Sequence, residues 1–202
     1  LITASVSISV PCETDVVNLL LEGIQGAVPL NVYYTINGTA QPTALVGNLS
    51  LPALSIPVSG SPNWSITTNT IQVTSIIDAM GNICPINLLP SAINVLVNPN
   101  PIISSFTTPD SDICEGKDAI LEFDFSVGTP PFNVSINGSG IPPLTAMTAQ
   151  YTISPALVAT IPPYPLPYNY SITNYQDANG CIGTVIPADT GIIVILRGNN
   201  PE

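Results

Sequence analysis

CEGKDAILEFDFSVGTPPFNVSING, residues 114–138, holds two strands and the turns around them in legible form. Leu121, Phe123 and Phe125 alternate with Glu122 and Asp124, a period of two that suits a half-buried strand. Gly128, Pro130 and Pro131 break it. A second strand sets Phe132, Val134 and Ile136 against Asn133 and Ser135. Asn137-Gly138 then closes it with a dipeptide that tolerates the positive φ of a tight hairpin turn. The same pattern recurs upstream: Cys12-Glu13 matches Cys114-Glu115, Gly26 and Pro29 match Gly128 and Pro131, and Asn31-Val32 matches Asn133-Val134. After a two-residue slip, Ile36-Asn37-Gly38 matches Ile136-Asn137-Gly138. Asp78-Ala79-Met80-Gly81 before Cys84 echoes Asp177-Ala178-Asn179-Gly180 before Cys181. The chain therefore reads as a diverged tandem duplication, each copy about one hundred residues, a common size for a β-sandwich.

Working outward, residues 1–10 set Val6, Ile8 and Val10 against Ser5, Ser7 and Ser9, and Pro11 ends that run. Strand patterns follow at 16–22, 28–36, 43–47, 51–58, 64–68, 70–77 and 86–97 in the first copy. The second offers 102–107, 119–126, 132–136, 143–148, 150–154, 156–161, 168–175 and 184–196. Val, Ile and Thr abound, and no long 3.6-residue stripe with caps points to a helix. Asn98-Pro99-Asn100-Pro101 reads as a short stiff connector. The expected organisation is an N-terminal strand at 1–10, a first domain at 11–98 and a second at 99–202.

Composition narrows the function. Only 7% of the 202 residues are charged, against about a quarter in ordinary proteins, and Lys117 and Arg197 face 13 carboxylates. So few cations leave nothing to neutralise phosphates, which excludes a nucleic-acid surface and a polybasic membrane anchor. Mean hydropathy is positive, but runs such as Gly191–Leu196 are too short to span a bilayer as a helix. Without histidine, Ser-His-Asp and Cys-His machinery cannot be built. Asp110, Asp112, Glu115 and Asp118 cluster in one expected surface turn. It lacks a complete ligand-loop motif for calcium and an aromatic cleft for glycoside chemistry. No catalytic residue, cofactor or metal is expected.

Six Asn-x-Ser/Thr sequons mark Asn37, Asn48, Asn63, Asn133, Asn137 and Asn169 as candidate N-glycosylation sites. Asn133 and Asn169 fall on the outward parity of their strands. Cys12, Cys84, Cys114 and Cys181 read as disulfide cysteines of an oxidising compartment, since no histidine or close Cys-x-x-Cys pair suggests zinc.

Two resemblances carry the reading further. Cys114-Glu115-Gly116-Lys117-Asp118 and Asp177-Ala178-Asn179-Gly180-Cys181 resemble motifs of the Ig-like repeats of bacterial surface adhesins. As a whole, the β-rich pattern, scarce charge, dense sequons and alternating N-terminal strand resemble subunits of archaeal thread-type surface filaments. That resemblance implies an all-β chain of two tandem Ig-like or pilin-like sandwiches, N-glycosylated and extracellular. Copies would join head to tail, with Val6, Ile8 and Val10 of residues 1–10 donated to the neighbouring copy's sheet. An ordinary first strand within its own domain is the competing expectation. The competing function is a glycan-binding or spacer module of a surface adhesin. A cell-surface or glycan receptor is a possible partner in either case.

Disulfide connectivity stays open at this level. Duplication favours Cys12–Cys84 and Cys114–Cys181. In an immunoglobulin-like strand order, however, those positions lie at opposite ends of a sandwich, and a seven-residue strand spans roughly 23 Å. That order would instead pair cysteines across a junction, such as Cys12 with Cys181, or cysteines of successive subunits.

Overall fold

A computed structural model describes residues 3–6, 10–22, 25–47, 53–57, 64–85, 89, 91–153, 166–185 and 191–197. It is all-β, with sixteen strands among those residues and no helix. The chain divides into two compact units, Leu1–Asn98 and Pro99–Glu202.

In the first unit, β1 (Thr3–Val6), β2 (Val16–Glu22) and β6 (Ala53–Pro57) form one sheet in the order β1-β2-β6. The opposing sheet runs β4-β3-β7-β8, from β4 (Thr39–Ala40), β3 (Leu30–Ile36), β7 (Thr68–Ile77) and β8 (Ile93–Leu96), and β5 (Ala44–Val46) also pairs with β3. Alternation explains the layers. Val17, Leu19 and Leu21 of β2 are buried, as are Leu30, Val32, Tyr34 and Ile36 of β3, and they meet Ile71, Val73, Ile76 and Val95 in one core. The opposite parity, Val16 and Leu20, is exposed.

The second unit repeats the plan. One sheet is β14-β11-β9, built from β14 (Thr148–Ile153), β11 (Ala119–Val127) and β9 (Ile102–Thr107). The other runs β10-β16-β15-β12-β13, comprising β10 (Asp112–Cys114), β16 (Gly191–Arg197), β15 (Leu166–Gln176), β12 (Asn133–Ile136) and β13 (Ser139–Gly140). The opening stretch supplies the middle of its core: the Phe125 and Phe132 rings stack with centroids 3.7 Å apart, and Phe106 packs on Phe123 at 5.0 Å. Both copies place a cis peptide bond at the same point, Val28-Pro29 and Pro130-Pro131.

The first strand of each unit is seated in one register. The 102-residue offset that carries Cys12 onto Cys114 also carries Thr3↔Glu22, Ala4↔Leu21 and Ser5↔Leu20 onto Ser105↔Asp124, Phe106↔Phe123 and Thr107↔Glu122. Within the single chain, residues 3–6 take the place of an ordinary first strand, the competing expectation for residues 1–10. Thr3–Val6 lies antiparallel on β2 of its own unit, Ile8 falls outside the described residues, and Val10 is exposed.

Each unit then adds a short segment that sequence alternation does not reveal. In the second unit β10 pairs in parallel with β16, Asp112 to Cys114 against Ile195 to Arg197. In the first unit the same position is one parallel bridge, Cys12↔Asn98. Other expectations shift. The 64–68 pattern is a bend before β7, 143–148 keeps only the Leu144–Phe132 bridge before β14, and 156–161 lies outside the described residues.

The cysteine expectation is corrected in part. Cys12 and Cys181 are disulfide-bonded, whereas Cys84 and Cys114 are free thiols. Pairing within a copy fails on distance. Cys12 lies opposite Asn98, beside the start of β7, where the Val97 amide donates to the Thr67 carbonyl; the Cys84 amide donates to the Ile76 carbonyl at the other end. Nine strand positions separate the two levels, about 30 Å at ~3.3 Å per residue, far beyond the ~7 Å that a disulfide spans between Cα atoms. In the second unit Cys114 pairs with Arg197, past the Leu166 end of β15, while Cys181 accepts from the Asp177 amide beyond the other end. The same separation follows.

Candidate functional site

The sites worth examining are the turns at the ends of the sheets and their outer faces. At one end of each unit, an aspartate ties two loops together. Asp177 is 2% exposed. Its Oδ1 accepts from the amides of Asn179 (2.9 Å) and Cys181 (3.0 Å), and its Oδ2 from the amide of Thr129 (3.0 Å). The backbone completes the knot, with the Ala178 amide donating to the Thr129 carbonyl. Asp78 does the same work in the first copy. Its Oδ1 accepts from the Met80 and Asn82 amides, its Oδ2 from Asn82 Nδ2 at 2.9 Å, and the Ala79 amide donates to Ala27. Both carboxylates are therefore consumed by turn architecture rather than held for chemistry.

Hydrogen bonds from the Asn82 side chain, and then its backbone, hold the Asp78 carboxyl below the ordinary value of 3.8. A carboxyl whose folded pKa is depressed contributes stability that is present above the unfolded value and lost as pH falls through the folded one. Asp78→Asn is thus expected to be less stable than wild type at pH 7, with the gap narrowing as pH drops below 3.8. Urea unfolding of both proteins between pH 7 and pH 2 measures this. A gap that stays constant over the range would exclude the charged carboxylate as its source.

The second paired feature is the Asn-Gly hairpin turn. Asn37 and Asn137 sit at φ 50° and 49°, and Gly38 and Gly138 follow at φ 80° and 81°, a left-handed pair that suits asparagine followed by glycine. Each asparagine turns its side-chain amide onto the adjacent strand. Asn37 Oδ1 accepts from the Thr70 amide (2.9 Å), and its Nδ2 donates to Asn69 Oδ1 (2.8 Å). Asn137 Oδ1 accepts from the Ser171 amide (2.9 Å), and its Nδ2 donates to the Asn169 carbonyl (2.8 Å).

The remaining described sequons lie on an open face. Asn133 on β12 and Asn169 on β15 are both exposed, and neither side-chain amide makes a hydrogen bond within the described residues. Between them the outward positions are Ser135, Ser171, Thr173 and Asn174, a face of small uncharged polar groups. Asn48 and Asn63 fall outside the described residues.

Among the described residues, aromatic side chains do not assemble a sugar-stacking platform. Tyr34 and Trp64 pack against the first core, Tyr151, Tyr170 and Tyr175 against the second, and Tyr168 against a small cluster with Ile113 and Val194. Tyr33 is the exposed tyrosine among the described residues, and Tyr164 lies outside them. In the acidic turn, Asp112 Oδ2 takes a hydrogen bond from Arg197 Nη2 at 2.9 Å, with both groups well exposed. Among the described residues no group of three His, Cys, Asp or Glu side chains is placed to hold a metal ion. No helix among them is long and apolar enough to cross a membrane.

No protein-family model matches this sequence, and no curated protein matches it. Solved structures do. An I-band fragment of titin is similar over 98% of this chain and 65% of its own length, with a TM-score of 0.52 at 9% identity. Fibronectin(III)-like modules of Clostridium thermocellum CbhA align over 98% and 95%, with a TM-score of 0.44 at 10% identity. A bacterial ice-binding adhesin aligns over 98% and 65%, with a TM-score of 0.36 at 15% identity. The titin likeness bears the fold assignment. At these identities it is fold alone: the chain is a tandem of Ig-like β-sandwiches.

Proposed function

We propose that this chain is a structural subunit of an extracellular surface filament, its two sandwiches supplying length and a sugar-bearing exterior. The observation that supports this most is the outer face of β12 and β15. There two sequon asparagines stand exposed with unengaged amides on a surface almost devoid of charge. Attached glycan would supply the hydrophilic bulk that the side chains lack. The disulfide suits an oxidising compartment.

Head-to-tail joining would use the seat of β1. Of its side chains, Ala4 packs against the core while Thr3 and Ser5 are exposed. Main-chain pairing to β2 runs the length of the strand, from Thr3↔Glu22 to Val6↔Leu19. The identical strand of a neighbouring copy fits the same seat in the same register, which is the logic of a swapped element. A second reading, a spacer module within a surface adhesin, is favoured by the shared register of β1–β2 and β9–β11, because β9 occupies its seat as part of a continuous chain.

Electron microscopy of the native material separates the two. Long uniform fibres support the filament, and their absence from protein lacking residues 1–10 supports exchange of β1. Discrete particles of the native protein, or fibres that survive the deletion, would overturn the filament or its joining mode respectively.

A further inference from the structure

Resting on that glycoprotein reading, we infer that among the four described sequon asparagines only Asn133 and Asn169 accept glycan, while Asn37 and Asn137 are structural pins that cannot. The argument turns on which amide hydrogen is in use. In glycosyl transfer the Nδ2–C1 bond forms, the bond from C1 to the phosphate of a lipid-linked sugar donor breaks, and the amide gives up one proton. The product is a secondary amide, which strongly favours the trans arrangement, with the sugar carbon anti to Cβ and therefore on the same side as the oxygen.

Asn137 presents Oδ1 and Nδ2 together to β15, accepting from the Ser171 amide and donating to the Asn169 carbonyl. A planar amide that offers both atoms to one strand donates through the hydrogen on the oxygen's side. That hydrogen is the one the sugar replaces. Asn37 likewise accepts from the Thr70 amide of β7, while its Nδ2 donates to a side-chain oxygen, Asn69 Oδ1. Its acceptor residue is fully buried, so the space beyond the nitrogen belongs to the fold. Glycosylation at either turn requires the disfavoured cis amide or the loss of the bond that docks the hairpin. Asn133 and Asn169 meet no such obstacle: both are exposed, and neither amide is engaged.

Site-resolved glycopeptide mass spectrometry of the native full-length protein tests this. The expected result is glycan on Asn133 and Asn169 and unmodified Asn37 and Asn137. Two substitutions of sequon serines sharpen it without touching any asparagine. Ser135→Ala should lower the intact mass by one glycan, and Ser139→Ala should change it by the substitution alone. Glycan on Asn37 or Asn137, or a glycan lost on Ser139→Ala, would overturn the inference while leaving the glycoprotein reading intact. All four asparagines bare would overturn both.

Discussion

Gly183→Ala should destabilise the second unit by about 3 kcal/mol or more, at the upper end of what overpacking a core costs. A Cβ built on Gly183 would lie 1.9 Å from Cε2 and 2.1 Å from Cζ of Tyr175. Neither group can move cheaply. Tyr175 is 3% exposed and meets Phe125 edge-on at 6.3 Å, and its hydroxyl donates to the Thr184 carbonyl at 3.0 Å. Gly183 is held in turn by its amide, which donates to the Tyr175 carbonyl. The extra methyl must therefore expel the ring or break the backbone that contacts it. For a unit of this size each kcal/mol is worth about 4–8 °C in Tm, so a fall above roughly 12 °C is expected. Thermal unfolding followed by circular dichroism measures it. A fall of only a few degrees would show that Tyr175 has another place to go.

Asn69→Ala is expected to cost the first unit about 2–4 kcal/mol, although it removes a small polar side chain. Asn69 is fully buried at the start of β7. Its Oδ1 accepts from the Ser65 amide, the Ser65 hydroxyl and Asn37 Nδ2, and its Nδ2 donates to the carbonyls of Ser65 and Thr67. Truncation removes five hydrogen bonds at once and empties the space of a fully buried side chain that ties the 65–69 turn together. It also frees the Asn37 turn. Asn37→Ala, after which Asn69 Oδ1 still holds the Ser65 amide and hydroxyl, should cost clearly less. Denaturant melts of the two variants decide the order, and equal losses would mean that the turn rather than the buried amide is the dominant element.

Much of this architecture was legible from alternation. Leu121, Phe123 and Phe125 revealed β11 because their phase is regular, and the outward parity of Asn133 and Asn169 follows from the same rule. Parallel β10 escaped it. Three residues with Ile113 as the single buried side chain carry no period, and their partner strand lies some eighty residues away. The within-copy cysteine pairing that duplication favoured failed for a related reason. Cys84 was set against Cys181 by the echo of the preceding turn, but the hydrogen bond it makes to Ile76 is the one Gly183 makes to Tyr175. Cys84 thus occupies the position of Gly183, two residues further on. Turn chemistry located the loops; which residue stood where along a strand depended on long-range register, which short motifs do not record. On function the sequence spoke chiefly through what composition disfavours, because the structural role we propose needs no convergent set of reactive groups.

The parallel seam between the segment after each first strand and the final strand has a mechanical consequence. Tension that enters a unit near its beginning and leaves near its end draws two parallel neighbours past each other along their length. Their hydrogen bonds are then loaded together in shear instead of being peeled one at a time. In the second unit that seam is the β10–β16 ladder, extended by bonds from the Ile195 amide to Ser111 and from the Glu115 amide to Arg197. In the first it is a single bridge with two bonds, Glu13 to Asn98 and Asn98 to Pro11. Among the described residues the two copies therefore present seams of unequal length to a pull, three paired positions in the second and one in the first, where Cys12 is also held by a disulfide.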